Sequence, residues 1–131
     1  SDFAKHLLAG VQGRLDQEKA EWDERTALGV VLAPSPYPKK YKGGAVISGL
    51  DEIDGEDIKI FHSGTRQRED GAIVTTVGRT LTVTTLAKNM PQAQKKVYMA
   101  VEKIDFDKIY YRRDIGYRAL PQTKETKCPK A

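Results

Sequence analysis

The sequence predicts an α+β fold, a small antiparallel and barrel-like β-sheet covered by one helix. Three observations predict it. Residues 28–33 (LGVVLA) form a continuous apolar run of strand length, with a β-branched pair, closed by Pro34, Pro36 and Pro38. Residues 79–86 (RTLTVTTL) alternate in strand fashion and are rich in Thr and Val. After Asn89, a plausible N-cap, and Pro91 in the first turn, Ala93, Val97, Ala100, Val101 and Ile104 fall on one helical face. That face is expected to cover one side of the sheet.

The remaining elements follow in chain order. Residues 2–14 read as a short helix, with Asp2 as cap, Phe3, Leu7, Leu8 and Val11 on one face, and Gly13 placed to end it. Residues 15–25 are charged, with Trp22 alone among acids and bases. The Pro, Lys and Gly content of residues 34–44 marks a loop, and residues 45–50 are a short strand or a turn-bounded apolar patch. Residues 58–65 and 72–76 read as strands joined in a hairpin around Asp70-Gly71, and with residues 79–86 they make an antiparallel meander. Residues 106–120 are aromatic and basic, and the polar residues 121–131 are expected to be a flexible tail. The expected units are therefore 1–24, 25–120 and 121–131.

Composition bounds the function. A chain of 131 residues suits one small domain, with 39% apolar and 31% charged residues. No apolar run approaches the roughly 20 residues that span a bilayer, and no secretory or targeting pattern is readable, so no membrane role and a cytoplasmic location are expected. Cys128 is the one cysteine. It can form no internal disulfide, which fits a reducing compartment, and its Lys, Thr and Pro neighbours favour an incidental thiol on a loose tail over a nucleophile. His6 and His62 lie far apart in sequence, so no metal-ligand cluster is expected. The net charge of +4 leans weakly toward anionic ligands. Much of the excess is Lys124, Lys127 and Lys130 against Glu125, which leaves no strong nucleic-acid footprint.

Read in order, the segments resemble one family. The series runs GVVLA, then YP and a basic, Gly-containing loop, then VISGL, KIFHSGT and VGRTLTVTTLA. It continues through a helix with Ala93, Lys96, Tyr98, Ala100, Val101, Lys103 and Ile104, and closes on YRRDIGYRAL. From residue 27 to residue 120 this resembles the C-terminal region of phosphoribosylamine-glycine ligases, members of the ATP-grasp superfamily. The helix of residues 2–14, with its Leu-Leu pair, and the EWD segment also resemble the family. They imply that residues 1–24 are the last helix and strand of an ATP-grasp domain.

The resemblance implies an ATP-dependent carbon-nitrogen ligase of purine biosynthesis that joins glycine to 5-phosphoribosylamine through a glycyl-phosphate intermediate. It implies a parent enzyme several times longer, monomeric and of the monofunctional bacterial type, in which this chain contacts the N-terminal and ATP-grasp domains. ATP and Mg2+ (or Mn2+) would be held outside this chain, which has neither a G-x-x-x-x-G-K-[ST] nor a G-x-G-x-x-G loop and is expected to be inactive alone. Gly78 and Arg79 are the candidate site. A glycine before a strand lets backbone approach a ligand, and an arginine there offers a forked donor for phosphate. The resemblance assigns Arg79 to the 5-phosphate of phosphoribosylamine. Val77 stands where the family carries the first of two glycines, and Lys39-Lys40 where it often carries Gly-Asp.

Other residues have competing readings. His62 and Thr65 in FHSGT fit a hydrogen-bonded structural pair or a substrate contact, with no catalytic role assigned. Arg112 and Arg113 with Asp114 form an anion site or a salt-bridge knot, and the adjacent acid favours the knot. Tyr110, Tyr111 and Tyr117 are expected to pack with their hydroxyls at the surface. Asp51, Glu52, Asp54, Asp105 and Asp107 are expected to be solvated. Two other functions stay open: a free-standing basic β-barrel that binds nucleic acid, and a structural domain that docks another chain.

Overall fold

The computed structural model describes residues 1–39 and 41–120. Helix α1 spans Phe3–Val11, with Asp2 accepting from the Ala4 N–H at its start. Gly13, at φ 68°, ends it with two bonds back into the last turn, Gly13 N–H to Gly10 at 3.1 Å and Arg14 N–H to Ala9 at 3.0 Å. The helix is thus shorter than residues 2–14. After a 3₁₀ turn at Leu15–Gln17, residues 18–24 form no strand, because no strand among the described residues runs beside them, although Glu21 bonds the Ser1 amine and hydroxyl.

Strands follow as β1 (Thr26–Pro34), β2 (Ile58–His62), β3 (Thr65–Gln67), β4 (Ile73–Thr75) and β5 (Leu81–Ala87). Helix α2 (Met90–Val101) and strand β6 (Ile109–Tyr110) complete the order, with a last 3₁₀ turn at Tyr117–Ala119. The main sheet has four antiparallel strands in the order β2-β5-β1-β6, and β3 and β4 form a separate ribbon. It is open, with β2 and β6 at its edges, so no barrel closes among the described residues. The meander expectation fails in a specific way. β2 pairs with β5, not with β4, and the predicted strand of residues 58–65 breaks at Ser63-Gly64. Both of those N–H groups donate to the Thr80 carbonyl at 3.1 Å, which turns the chain out of the sheet. The hairpin around Asp70-Gly71 does form, between the short β3 and β4, with Gly71 at φ 84°. Residues 45–50 make isolated bridges, Val46 to Val74 and Ser48 to Asp105, rather than a strand.

One face of the sheet carries the core. Leu28, Val30 and Leu32 of β1 and Leu81 and Val83 of β5 alternate inward and meet Ala93, Val97, Ala100 and Val101 of α2, with Ile104 and Phe106 just beyond. α2 starts as its sequence requires, with Asn89 accepting from the Gln92 N–H at 3.1 Å. The one hydroxyl deep under the helix, on Thr85, donates to the Ala93 carbonyl at 3.1 Å, so burial leaves it satisfied. An ionic node ties the chain entering β1 to the rest of the domain. Asp57 takes Arg25 at 2.5 Å and Lys96 of α2 at 2.8 Å. Lys96 beside it holds the Asp57 carboxyl below its ordinary range, and Arg25 holds that of Asp23 down to about 2.

Candidate functional site

Among the described residues, no helix or second sheet covers the face of the sheet opposite α2. Phe61, Thr82 and Val31 form one row across β2, β5 and β1, and Lys59, Thr84 and Gly29 the next. Phe61 and Val31 remain 56% and 42% exposed, a high value for apolar side chains in mid-sheet. Loops rise around this face. The 34–38 loop brings Tyr37, the turn before β5 brings residues 76–79, and the end of β6 with the segment after it brings Tyr110, Tyr111, Arg112 and Ile115.

Two adjoining depressions result. One, of about 640 Å³, lies among Val31, Tyr37, Ser63, Gly64, Thr82 and residues 76–79. The other, of about 330 Å³, lies among Gly29, Val31, Ala33, Tyr37, Arg79, Tyr110, Tyr111, Arg112 and Ile115. Val31, Tyr37 and Arg79 line both, so Arg79 stands on the ridge between them. Its side chain is exposed, and among the described residues it has no ion-pair partner. A free guanidinium over an apolar floor with aromatic walls suits a small ligand carrying an anionic head.

Local sequence explains how Arg79 gets there. Gly78 adopts φ 77° with nothing near its missing side chain, so the demand on it is conformational. Gly64, from the FHSGT segment, lies under the same turn. A Cβ on it would sit 2.6 Å from the Arg79 carbonyl and 2.7 Å from that of Val77. Gly64 also accepts from the Thr76 N–H at 2.7 Å. Gly43 touches the turn from the other side, where a Cβ would sit 2.8 Å from the Thr76 carbonyl. Sequence reasoning missed these two glycines. The signal lay in the motif itself, a glycine between Ser63 and Thr65 where a strand would favour a side chain.

The other candidates fall in several places. Arg112 joins Arg79 at the smaller depression, but its guanidinium is paired with Asp114, Nε to Oδ1 at 2.9 Å and Nη2 to Oδ2 at 2.8 Å. That bond holds the Asp114 carboxyl below its usual range. The salt-bridge reading therefore describes Arg112, with both partners more than half exposed. Arg113 instead lies over the Tyr111 ring, 5.4 Å from its centroid. Tyr111 is half-buried against the core, whereas Tyr110 and Tyr117 are 54% and 46% exposed. His62 is exposed and lines neither depression, and its Nδ1 is 3.0 Å from Thr65 Oγ1. Lys39 and Lys42 are exposed, while Lys40, Cys128 and the tail lysines lie outside the described residues. Among the described residues no three His, Cys, Asp or Glu side chains gather in a group that could hold a metal ion. No helix of the described residues is long and apolar enough to cross a membrane.

Comparison with known proteins places these features in a family. The model of the phosphoribosylglycinamide synthetase C domain matches residues 27–118, which include every strand of the sheet except its first residue, Thr26, together with α2 and the Arg79 turn. A phosphoribosylamine-glycine ligase of Yersinia pestis is 44% identical over 124 residues, covering 95% of this chain and 29% of that protein. One of Allochromatium vinosum is 47% identical over the same shares. The crystal structure of a phosphoribosylamine-glycine ligase from Thermotoga maritima superposes with a TM-score of 0.66 and 29% identity, over 86% of this chain and 28% of that one. The chain thus spans less than a third of the length of the relatives it matches.

Proposed function

Because the chain belongs to the phosphoribosylglycinamide synthetase C-domain family, we propose that it is the C-terminal domain of an ATP-dependent ligase joining glycine to 5-phosphoribosylamine. Its part in that reaction is to hold the ribosyl phosphate on the open face of the sheet. Arg79 carries the reading. It is the exposed guanidinium shared by both depressions, it has no ion-pair partner among the described residues, and the turn under it is fixed by Gly64 and Gly78. A guanidinium fork matches phosphate oxygens two at a time, and the apolar floor and Tyr37 leave room for a ribose ring beside it.

ATP and Mg2+ belong, in this reading, to the parts of the enzyme outside these residues. Residues 1–24 are then the closing piece of the neighbouring ATP-grasp core. The support is an unpartnered surface: Phe3, Leu7, Leu8 and Val11 are each more than half exposed, and Trp22 is 89% exposed. Those side chains would be covered by the rest of that core, and residues 18–24 would gain the strand partner they lack here. A free-standing nucleic-acid module is disfavoured by family membership and by charge. Arg25, Arg68 and Arg112 are each paired with a nearby aspartate, so these three guanidiniums are not free for a phosphate backbone.

The experiment is a steady-state comparison in the full-length ligase carrying this chain. Arg79→Ala is expected to raise the KM for phosphoribosylamine by roughly ten-fold or more, the scale of one lost charge-assisted contact, with the KM for ATP little changed. An unchanged KM for phosphoribosylamine would remove Arg79 from the site.

A further inference from the structure

The wall of the smaller depression is held from the opposite side of the molecule. β6 pairs with β1 over only two residues, Ala33 to Tyr110 and Pro34 to Ile109, and beyond Tyr110 the chain leaves the ladder. Residues 111–115 are then tied back to α2 by side-chain hydrogen bonds. The Tyr98 hydroxyl donates to the Arg112 carbonyl oxygen at 2.8 Å and accepts from the Ile115 N–H at 3.0 Å, bridging the turn at both ends. Gln94, one helical turn earlier, donates its amide to the Ile115 carbonyl at 2.9 Å. The Tyr98 and Tyr111 rings meet at 6.3 Å between centroids. Gly116 then seats the chain back on the core, at φ 87°, where a Cβ would meet Met90 Sδ at 3.1 Å and Leu28 Cδ1 at 3.3 Å.

We propose that Tyr98 is a positioning residue for the phosphoribosyl cavity, its hydroxyl fixing where Tyr111, Arg112 and Ile115 stand relative to Arg79. The inference rests on the reading that this cavity takes the phosphoribosyl group. A phenol offers one donor and two acceptor lone pairs, and here the donor and one lone pair bind backbone of the same turn. The Arg112–Asp114 ion pair inside that turn keeps its place only while the backbone on either side is held. Tyr98→Phe keeps the ring against Tyr111 and removes only the bridge. The wall is then free to shift on the ångström scale that binding geometry does not tolerate.

The test compares wild type, Tyr98→Phe, Arg79→Ala, the double variant and Lys103→Ala in the full-length ligase. Lys103 serves as a control because it binds the Glu52 carbonyl at 2.9 Å, away from the cavity. Tyr98→Phe is expected to raise the KM for phosphoribosylamine by roughly ten-fold, with the KM for ATP unchanged and no such rise in Lys103→Ala. Effects of Tyr98→Phe and Arg79→Ala should combine to less than their product, since both act on one bound group. The proposal is overturned if Tyr98→Phe lowers only the melting temperature, if it raises the KM for phosphoribosylamine and the KM for ATP together, or if the two effects multiply. Should Arg79→Ala raise the KM while Tyr98→Phe does not, the positioning role alone fails. Should Arg79→Ala have no effect, the cavity reading itself fails.

Discussion

Arg79 owes its place to glycines, and they divide the work differently from what their sequence positions indicate. Gly78 precedes the arginine and reads as the permissive residue, yet it needs only its left-handed φ of 77° and has open space beside it. Gly64, fourteen residues upstream of it, is the one pressed against the backbone of the turn. Gly64→Ala forces its Cβ against the Arg79 and Val77 carbonyls and is expected to cost about 1–3 kcal/mol, measured by urea denaturation. The same change at Gly78 strains φ alone and is expected to cost about 1–2 kcal/mol. A Gly64→Ala protein as stable as the wild type would mean the turn can move off Gly64 freely. Arg79 could be singled out from the sequence because a glycine-arginine pair at a strand start has a local meaning. Gly64, Gly43 and Tyr98 were not, because each acts on a segment distant in sequence, and a single sequence carries no record of such contacts.

Elements with a local signal were recovered, and pairings between them were not. Helix α2 announced itself through Asn89, Pro91 and a single apolar face, and β1 and β5 through their apolar run and their alternation. The break after His62 was missed although Ser63-Gly64 is a turn-like pair, because the group that bends the chain there is the Thr80 carbonyl, brought in from just before β5 by the fold. The Asp57 node is likewise a product of tertiary structure, joining Arg25, the start of β2 and the middle of α2. It gives the sheet domain an acid-sensitive tie. A carboxyl whose folded pKa lies below its unfolded value of about 3.9 contributes fully above that value and loses its contribution as the pH falls through the folded one. Stability is therefore expected to be level from neutral pH to about pH 4 on account of Asp57 and Asp23, and to fall below it. In Asp57→Asn that fall should be shallower, with a lower plateau at pH 7. Denaturation midpoints across the range check this, and identical acid profiles for the two proteins would show that the node contributes nothing.

At the scale of the whole molecule, the core lies between the sheet and α2, and among the described residues the N-terminal helix adds little to it. Only Ala9 of α1 is buried, and the helix turns its apolar side chains outward. Deleting residues 1–22 is accordingly expected to shift the melting temperature of the sheet domain by no more than about 4 °C, as seen by calorimetry, because it removes little of the core. A large loss would mean that the segment belongs to the domain. The α+β class and the helix-covered antiparallel sheet were legible in the sequence. The openness of the sheet was not, because whether β2 and β6 meet depends on strand order, which hydrophobic patterning leaves free. That openness makes the uncovered face available to a ligand, and the account turns on what binds there. The most direct measurement is a crystal structure of the full-length ligase with its phosphoribosyl substrate or product bound. Phosphate oxygens are expected within about 3 Å of the Arg79 guanidinium, with the ribose over Val31 and Tyr37. A phosphate bound elsewhere, with Arg79 left in solvent, would contradict it.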